Sequence, residues 1–509
     1  MSSKSKSKAS ASSETPSYAQ RADAEPPAPL SGDAALFHRQ RIGAGAMESY
    51  DYDLIVIGSG PAGQKAAIQA AKLDRRVAVI EEKQVLGGVC TNTGTIPSKT
   101  LREAAIYLSG YRLHNVYGEA YAVKQGITME DLLYRTDFVM RSEVDVIRHQ
   151  LLRNRVDVIT GKGSFTGPHG VHVALTGGGS REYTADRLVI AVGTSATKDE
   201  HIPFDGRSVI TSDEILKLDR IPRTLTVIGG GVIGLEYATI FAALGVRVTL
   251  IDKRNRMLPF VDGEIIEALS YHLREHRATL RMGEEVTGIQ VLEDGVLIHL
   301  ASGKQIKTEK ALYSIGRTGA TDGLNLAAAG LEADERGRLK VNGNYQTKVE
   351  NIYAAGDVVG FPSLASSSME QGRLAACHAF GVKAATLPDL LPYGIYSVPE
   401  ISMVGKTEEE LTQAGVPYEV GKAHYREVAR GQILGDDTGL LKLVFHLESH
   451  VLLGVHIIGE DAAELVHIGQ GVMAFGGTVD HFVHTVFNYP TLAECYKIAA
   501  LDGVNRLAV

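Results

Sequence analysis

One arrangement occurs twice along the chain, and few folds admit it. An apolar run, Leu54-Ile55-Val56-Ile57, leads into Gly58-Ser59-Gly60-Pro61-Ala62-Gly63. An alanine-rich stretch to Leu73 follows, then a second apolar run from Val77 to Ile80, then Glu81. Further on, the run Leu225 to Ile228 leads into Gly229-Gly230-Gly231-Val232-Ile233-Gly234, a stretch carrying Glu236, a run from Val246 to Ile251, and Asp252. First glycine to acid is 81 − 58 = 23 residues in the first unit and 252 − 229 = 23 in the second. Strand, glycine turn, helix, strand and acid in this order make a dinucleotide fingerprint. Gly58 and Gly229 permit the tight turn, Gly60 and Gly231 let the backbone approach a pyrophosphate, and Gly63 and Gly234 let helix pack on strand. The helix N-termini offer free N–H groups to phosphates. Glu81 and Asp252 stand where an acid accepts hydrogen bonds from an adenosine ribose. A single such turn is weak evidence. Two, with matched spacing, predict an α/β chain with two Rossmann-like dinucleotide-binding domains.

The 509 residues leave room for more. Thr100 to Asn154 reads as helical and Val156 to Val192 as strand-rich. From about Pro392 strand-like runs, Leu440 to Phe445 and Val451 to Ile458, adjoin a helical stretch from Asp461 to Phe475, which predicts a separate α+β module. The expected layout is a first nucleotide domain over 50–197 and 320–390, a second over 198–319 and a C-terminal module over 391–509. Residues 1–49 are rich in Ser, Ala, Pro and Lys, lack apolar periodicity, and are expected to be a disordered extension; Met47 is a candidate start. Thr226 to Ile251 is apolar and long enough to span a bilayer, but Glu236, Arg247 and the glycines favour strand, turn and buried helix. The net charge of −8 offers no footprint for nucleic acid or an anionic membrane. Three cysteines, Cys90, Cys377 and Cys495, are too few for a secreted disulfide scaffold and point to a reducing, cytoplasmic setting. No His/Cys cluster suggests a metal.

The segment Gly87-Gly88-Val89-Cys90-Thr91-Asn92-Thr93-Gly94-Thr95-Ile96-Pro97-Ser98-Lys99 resembles the redox-active segment of the flavoprotein disulfide reductases, the class I pyridine nucleotide-disulfide oxidoreductases. In that family two cysteines five positions apart form a disulfide against a flavin; here the second position is Thr95. The resemblance implies FAD at the first glycine unit, with Gly87, Gly88 and Cys90 beside it. Tyr353-Ala354-Ala355-Gly356-Asp357, preceded by Thr347, resembles the family's second FAD motif, with Asp357 near the ribityl and pyrophosphate region and Ala365 near the isoalloxazine. Ala191-Val192-Gly193 resembles the crossover between nucleotide domains, and Gly163 a backbone contact to adenine. Gly316, just before Arg317-Thr318-Gly319, joins the nucleotide-binding glycines. Lys99 matches the cation that stabilises charge developing on the flavin, and Glu236 the acid that pairs with it.

The C-terminal stretch Phe487-Asn488-Tyr489-Pro490-Thr491-Leu492-Ala493-Glu494 resembles the family's catalytic segment, where a histidine oriented by the glutamate shuttles protons to thiols. Here that histidine is Tyr489, and a phenol near pKa 10 is a poor shuttle at neutral pH. Partner thiol and base are therefore missing together. With Tyr345-Gln346-Thr347, Pro362-Ser363-Leu364-Ala365-Ser366 and Tyr396-Ser397-Val398-Pro399-Glu400, these features narrow the resemblance to the soluble pyridine nucleotide transhydrogenases. That implies FAD, with NAD(H) and NADP(H) as substrates, a homodimer or larger homo-oligomer, and hydride transfer from NADPH to NAD⁺ through flavin N5 without a redox-active disulfide. Asp252 suits an NAD ribose, while Arg254 and Arg256, close behind it with Lys253, suit a 2′-phosphate. Two alternatives stay open: a single-thiol NAD(P)H oxidase or peroxidase working through Cys90, and a non-catalytic nucleotide-sensing flavoprotein.

Overall fold

The computed structural model describes residues 50–507 other than 119 and 385; the expectation for residues 1–49 lies outside them. Tyr52–Ile57 is the central strand of a parallel sheet. Val77–Glu81 lies on one side of it and Ser180–Ile190 on the other. Asp157–Phe165 and Ile352–Ala354 flank these in turn. Asp157–Phe165 and Ser180–Ile190 also run on into an antiparallel meander with Gly170–Leu175. Both faces of the sheet are covered, which is why its strands read as continuous apolar runs. Leu54, Val56, Val77 and Val79 pack on helices, while Ile55, Ile57, Ala78 and Ile80 pack beneath the meander.

The second glycine unit builds the same plan again. Arg247–Asp252, Thr224–Ile228 and Lys310–Tyr313 run parallel, with Thr279–Met282 and Val209–Ile210 at the edges. A second antiparallel meander, Val286–Leu292, Gly295–Leu300 and Gln305–Thr308, covers one face. A two-stranded ribbon, Thr194–Ala196 against Arg317–Gly319, carries the chain out of the first sheet and back. The C-terminal sheet is antiparallel, in the order Tyr393–Ile395, Ile401–Gly405, Leu452–Ile458, Leu440–His446, Tyr418–His424. Ala462–Ala474 and Glu494–Leu507 pack on it around Tyr425, Phe445, Phe482 and Tyr496.

The predicted helical region over 100–154 is chiefly two helices, Thr95–Ser109 and Met129–Arg153, with the short helical turns Tyr111–Leu113 and His114–Tyr117 between them. Gly110, Gly118 and Gly126 take φ of +72°, +89° and +63° in the break between them, a backbone region that side chains other than glycine's rarely enter. The second helix restarts at a capping box in which Thr128 and Asp131 bond each other's backbone amides. Among the described residues no helix is long and apolar enough to cross a membrane. The apolar stretch at 226–251 is a strand, a 12-residue helix Val232–Ala243 and another strand.

Candidate functional site

The two glycine turns have the same geometry. A Cβ on Gly58 (φ +105°) would lie 2.4 Å from the Ala191 carbonyl oxygen, and one on Gly229 (φ +106°) 2.5 Å from that of Ser314. A Cβ on Gly63 would lie 1.9 Å from the Gly58 carbonyl oxygen, and one on Gly234 2.0 Å from that of Gly229. Gly60 and Gly231, by contrast, face open space. The outer glycines are thus required by the fold and the middle ones by whatever lies against the backbone. Pro61 opens the first helix, where its missing N–H costs nothing.

A cavity of about 360 Å³ runs across the first turn. Its wall includes Glu81, Lys162 and Gly163, Gly58, Gly60, Gly193, Gly356 and Asp357, and Cys90, Thr95 and Ala365. Glu81 is buried yet fully engaged: it accepts from the Ser59 amide at 2.9 Å, the Ser59 hydroxyl at 2.6 Å and the Lys83 amide at 2.9 Å. The Ser59 oxygen accepts in turn from the Gly87 amide at 3.0 Å. Ser59 thus ties Glu81 to the turn before Cys90, a link the fingerprint does not encode. Gly87 and Gly88 hold that turn at φ +107° and +60°. A Cβ on Gly88 would press within 2.9 Å of Gly60 Cα, so the two turns meet closely.

Burial pushes the Asp357 carboxyl above its ordinary value, against the pull of Arg317 and of hydroxyls from Ser368 (3.4 Å) and Thr194 (3.5 Å). Arg317 is held by the Thr194 hydroxyl and carbonyl at 2.8 and 2.7 Å. The helix Ala365–Ala379 starts at the cavity and packs on the helix Pro61–Lys72 so tightly that a Cβ on Gly372 would lie 2.0 Å from the Ala62 carbonyl oxygen. The chemistry of this wall suits a dinucleotide: a buried acid, an open glycine, the N-termini of the helices Pro61–Lys72 and Ala365–Ala379, and a half-buried thiol.

Lys99 and Glu236, 137 positions apart, meet with the ammonium 2.8 Å from both carboxylate oxygens. The Glu236 side chain is 5% exposed and that of Lys99 25%. Glu236 also accepts from the Tyr396 amide at 3.0 Å, and the Lys99 ammonium sits 5.0 Å above the Tyr396 ring. Tyr396 is thus a third member of this group that the glycine pattern could not reveal. Burial raises the Cys90 thiol, against opposing contributions from a hydrogen bond with Thr95 and the charge of Lys99, so the thiol is protonated at neutral pH. Cys377 and Cys495 are buried and free, both pushed up by burial. Tyr489 is 76% exposed on the C-terminal module, and Glu494 accepts from the Thr491 amide.

At the second turn, Asp252 is 6% exposed. Burial pushes its carboxyl up, but hydrogen bonds from Arg254 and the Gly230 amide outweigh this and hold it below the ordinary value. Arg256 is directed elsewhere. Its guanidinium meets Glu409 of the C-terminal module at 2.9 Å and the carbonyls of Pro259 and Val261. Gly316, at φ +144°, faces open space beside the ribbon.

Residues 52–372 match the pyridine nucleotide-disulphide oxidoreductase family, and residues 391–500 match its dimerisation domain. A soluble pyridine nucleotide transhydrogenase of Mycobacterium bovis is 55% identical over 458 residues, 90% of this chain and 98% of that protein. One from Colwellia psychrerythraea is 46% identical over 465 residues, 90% of this chain and 99% of that protein. Among solved structures, LpdA of Mycobacterium tuberculosis superposes with a TM-score of 0.80 at 27% identity, covering 88% of this chain and 98% of that one. The HOCl-induced flavoprotein disulfide reductase RclA of Escherichia coli gives 0.80 at 26% identity, covering 88% and 99%. The chain belongs to the pyridine nucleotide-disulphide oxidoreductase family.

Proposed function

We propose that this protein is an FAD-dependent transhydrogenase that moves hydride from NADPH to NAD⁺ without a redox-active disulfide. The observation that carries this reading lies at the redox turn: Cys90 and Thr95, not two cysteines, line the cavity, while the Lys99–Glu236 pair and both nucleotide turns are intact. Relatives named soluble pyridine nucleotide transhydrogenase, matching along nearly their whole length, support it.

FAD would lie along the first cavity, with Glu81 toward its ribose, Gly163 toward adenine, Gly58, Gly60, Gly88, Gly193 and Asp357 along the pyrophosphate and ribityl, Gly63 and Gly87 shaping the turns behind them, and Cys90, Lys99 and Ala365 toward the ring. Bound there, it supplies the relay chemistry: hydride arrives from one nicotinamide and departs to another. The chain does the rest. Lys99, fixed by Glu236 and Tyr396, places a cation where negative charge develops. Gly229, Gly231, Gly234, Asp252 and Gly316 hold one nicotinamide nucleotide at a time at the second turn. Thr95, five positions after Cys90, offers it no sulfur with which to form a disulfide. Tyr489 replaces a proton shuttle that hydride transfer does not need, with Glu494 bracing its loop. Residues 50–197 and 320–390 form the FAD domain, 198–319 the NAD(P) domain and 391–509 the dimerisation domain, where exposed Phe475, Val486 and Tyr489 suit contact with a second copy. The sparse, unpaired cysteines fit a cytoplasmic setting.

The test is FAD-loaded protein with NADPH and thio-NAD⁺, no thiol or disulfide added. Accumulation of reduced thio-NAD, largely retained by Cys90→Ser, is expected. Flavin reduction without transfer, or abolition by Cys90→Ser with oxygen consumed in wild type, would point instead to a single-thiol oxidase.

A further inference from the structure

Two arginines follow the ribose acid, and the structure gives them different partners. Both oxygens of Asp252 are saturated: Oδ1 accepts from the Arg254 amide (2.8 Å) and Nε (2.9 Å), and Oδ2 from the Gly230 amide (2.6 Å) and Arg254 Nη2 (2.6 Å). A ribose diol brings two more donors and can reach this carboxylate only by displacing the Arg254 side chain. A 2′-phosphate brings acceptors and a charge that the carboxylate repels, but one that suits the same guanidinium. The Arg254 side chain is 44% exposed, so it is free to turn outward.

Arg256, 36% exposed, is tied instead to another module. Besides Glu409 and the carbonyls of Pro259 and Val261, it neighbours an anchored segment. Met257, Leu258 and Val261 are buried, Leu258 holds φ +40°, and its amide reaches the Gly230 carbonyl at 3.4 Å. Asp262, at the end of the segment, caps the helix Gly263–Glu275 and bonds the buried Lys442 ammonium at 2.8 and 2.9 Å. Glu264 and Glu408 join the same ammonium. The loop that reads the adenosine ribose is therefore fastened to the C-terminal module at Arg256 and again at Asp262.

We propose that, of the two arginines, Arg254 discriminates between the nucleotides, releasing Asp252 to a ribose diol or exchanging it for a 2′-phosphate, while Arg256 and Glu409 position the loop for both. This rests on the two-nucleotide reading above. It assigns Arg256 away from the phosphate, contrary to what its place in the sequence suggests.

The experiment is calorimetric titration of FAD-loaded protein with 2′,5′-ADP and with 5′-ADP, which needs no hydride transfer. Arg254→Ala should weaken 2′,5′-ADP by roughly tenfold or more, the loss of one charge-assisted contact at a half-exposed site, and bind 5′-ADP no more weakly than wild type. Arg256→Ala and Glu409→Gln should each weaken both ligands by the same factor. Their double variant should do no more than either single one, and Arg256→Lys, which keeps the ion pair, should recover affinity for both. Flavin content and melting temperature report on the fold in the same samples. A selective loss of 2′,5′-ADP in Arg256→Ala, or an equal loss of both ligands in Arg254→Ala, overturns the division of roles. Wild-type protein that binds 5′-ADP but not 2′,5′-ADP removes the two-nucleotide reading, and the proposal with it.

Discussion

Replacing Glu236 by Gln should release Lys99 from the position in which it is held. The two side chains approach to 2.8 Å with both carboxylate oxygens engaged. At an effective dielectric constant of about 20, unit charges at that separation attract by roughly 6 kcal/mol. Desolvation of the two ions takes back much of this. Breaking a fully buried pair costs about 3–5 kcal/mol. Lys99 keeps 25% of its side chain exposed, so about 2–3 kcal/mol is the reasonable figure here. The glutamine retains an acceptor for the Tyr396 amide, so the backbone at 396 has no reason to move. What is lost is the charge that orients the ammonium. The assay is single-turnover flavin bleaching by saturating NADPH under anaerobic conditions. Lys99→Met should slow it by about a hundredfold, the usual loss for one oriented stabilising group. Glu236→Gln should slow it by about tenfold, since the cation is still present but no longer fixed. The double variant should be no slower than Lys99→Met alone, because Glu236 acts only through Lys99. Losses that multiply, or a Glu236→Gln rate equal to wild type, would refute the argument that this pair is one unit.

The glycine geometry separates two kinds of damage: Gly63→Ala should cost upward of about 3 kcal/mol because its Cβ meets backbone, whereas Gly60→Ala should fold and lose flavin, which thermal melts and flavin absorbance distinguish. Lys442→Met should destabilise the protein by about 3–5 kcal/mol in urea titration, since Asp262 is 1% exposed and would be left unpaired. Asp357 gives a pH signature. Burial raises its carboxyl in the folded state above 3.8, so ionisation opposes folding, not at all below the unfolded value and fully above the folded one. Flavin-free Asp357→Asn should therefore exceed wild type in stability at pH 8 and lose that advantage as pH falls through the acid range, as measured by melting temperature.

Local pattern carried the two nucleotide turns. Their conformational demands lie within six residues, Gly58 to Gly63 and Gly229 to Gly234, and the acid follows at a distance set by one helix and one strand. The Lys99–Glu236 contact spans 137 positions and was legible only through resemblance to a family. Four positions after Asp252, Arg256 reads as a phosphate ligand; its partners in the fold, Glu409, 153 residues on, and the carbonyls of Pro259 and Val261, are ones no local spacing announces. Ser59 and Tyr396 act through a hydroxyl bridge and a ring face that no spacing rule announces. The helical region is interrupted for a local reason: Gly110 and Gly118 turn the backbone to positive φ.

The tight seat of Gly372 on Ala62 has a consequence for the order in which the chain can assemble as it is made. All strands of the second parallel sheet, from Val209 to Tyr313, lie between Ser180–Ile190 and Ile352–Ala354 of the first. The guest sheet can therefore close while its host is still missing an edge strand and the helix Ala365–Ala379. At roughly 5–20 residues per second, the 372 − 62 = 310 residues separating the two contact partners take on the order of 15–60 seconds to emerge. For that interval Ala62, the residue of the first helix on which Gly372 sits, lacks this cover. A nascent chain of this design must be shielded, or must wait, until its far end arrives.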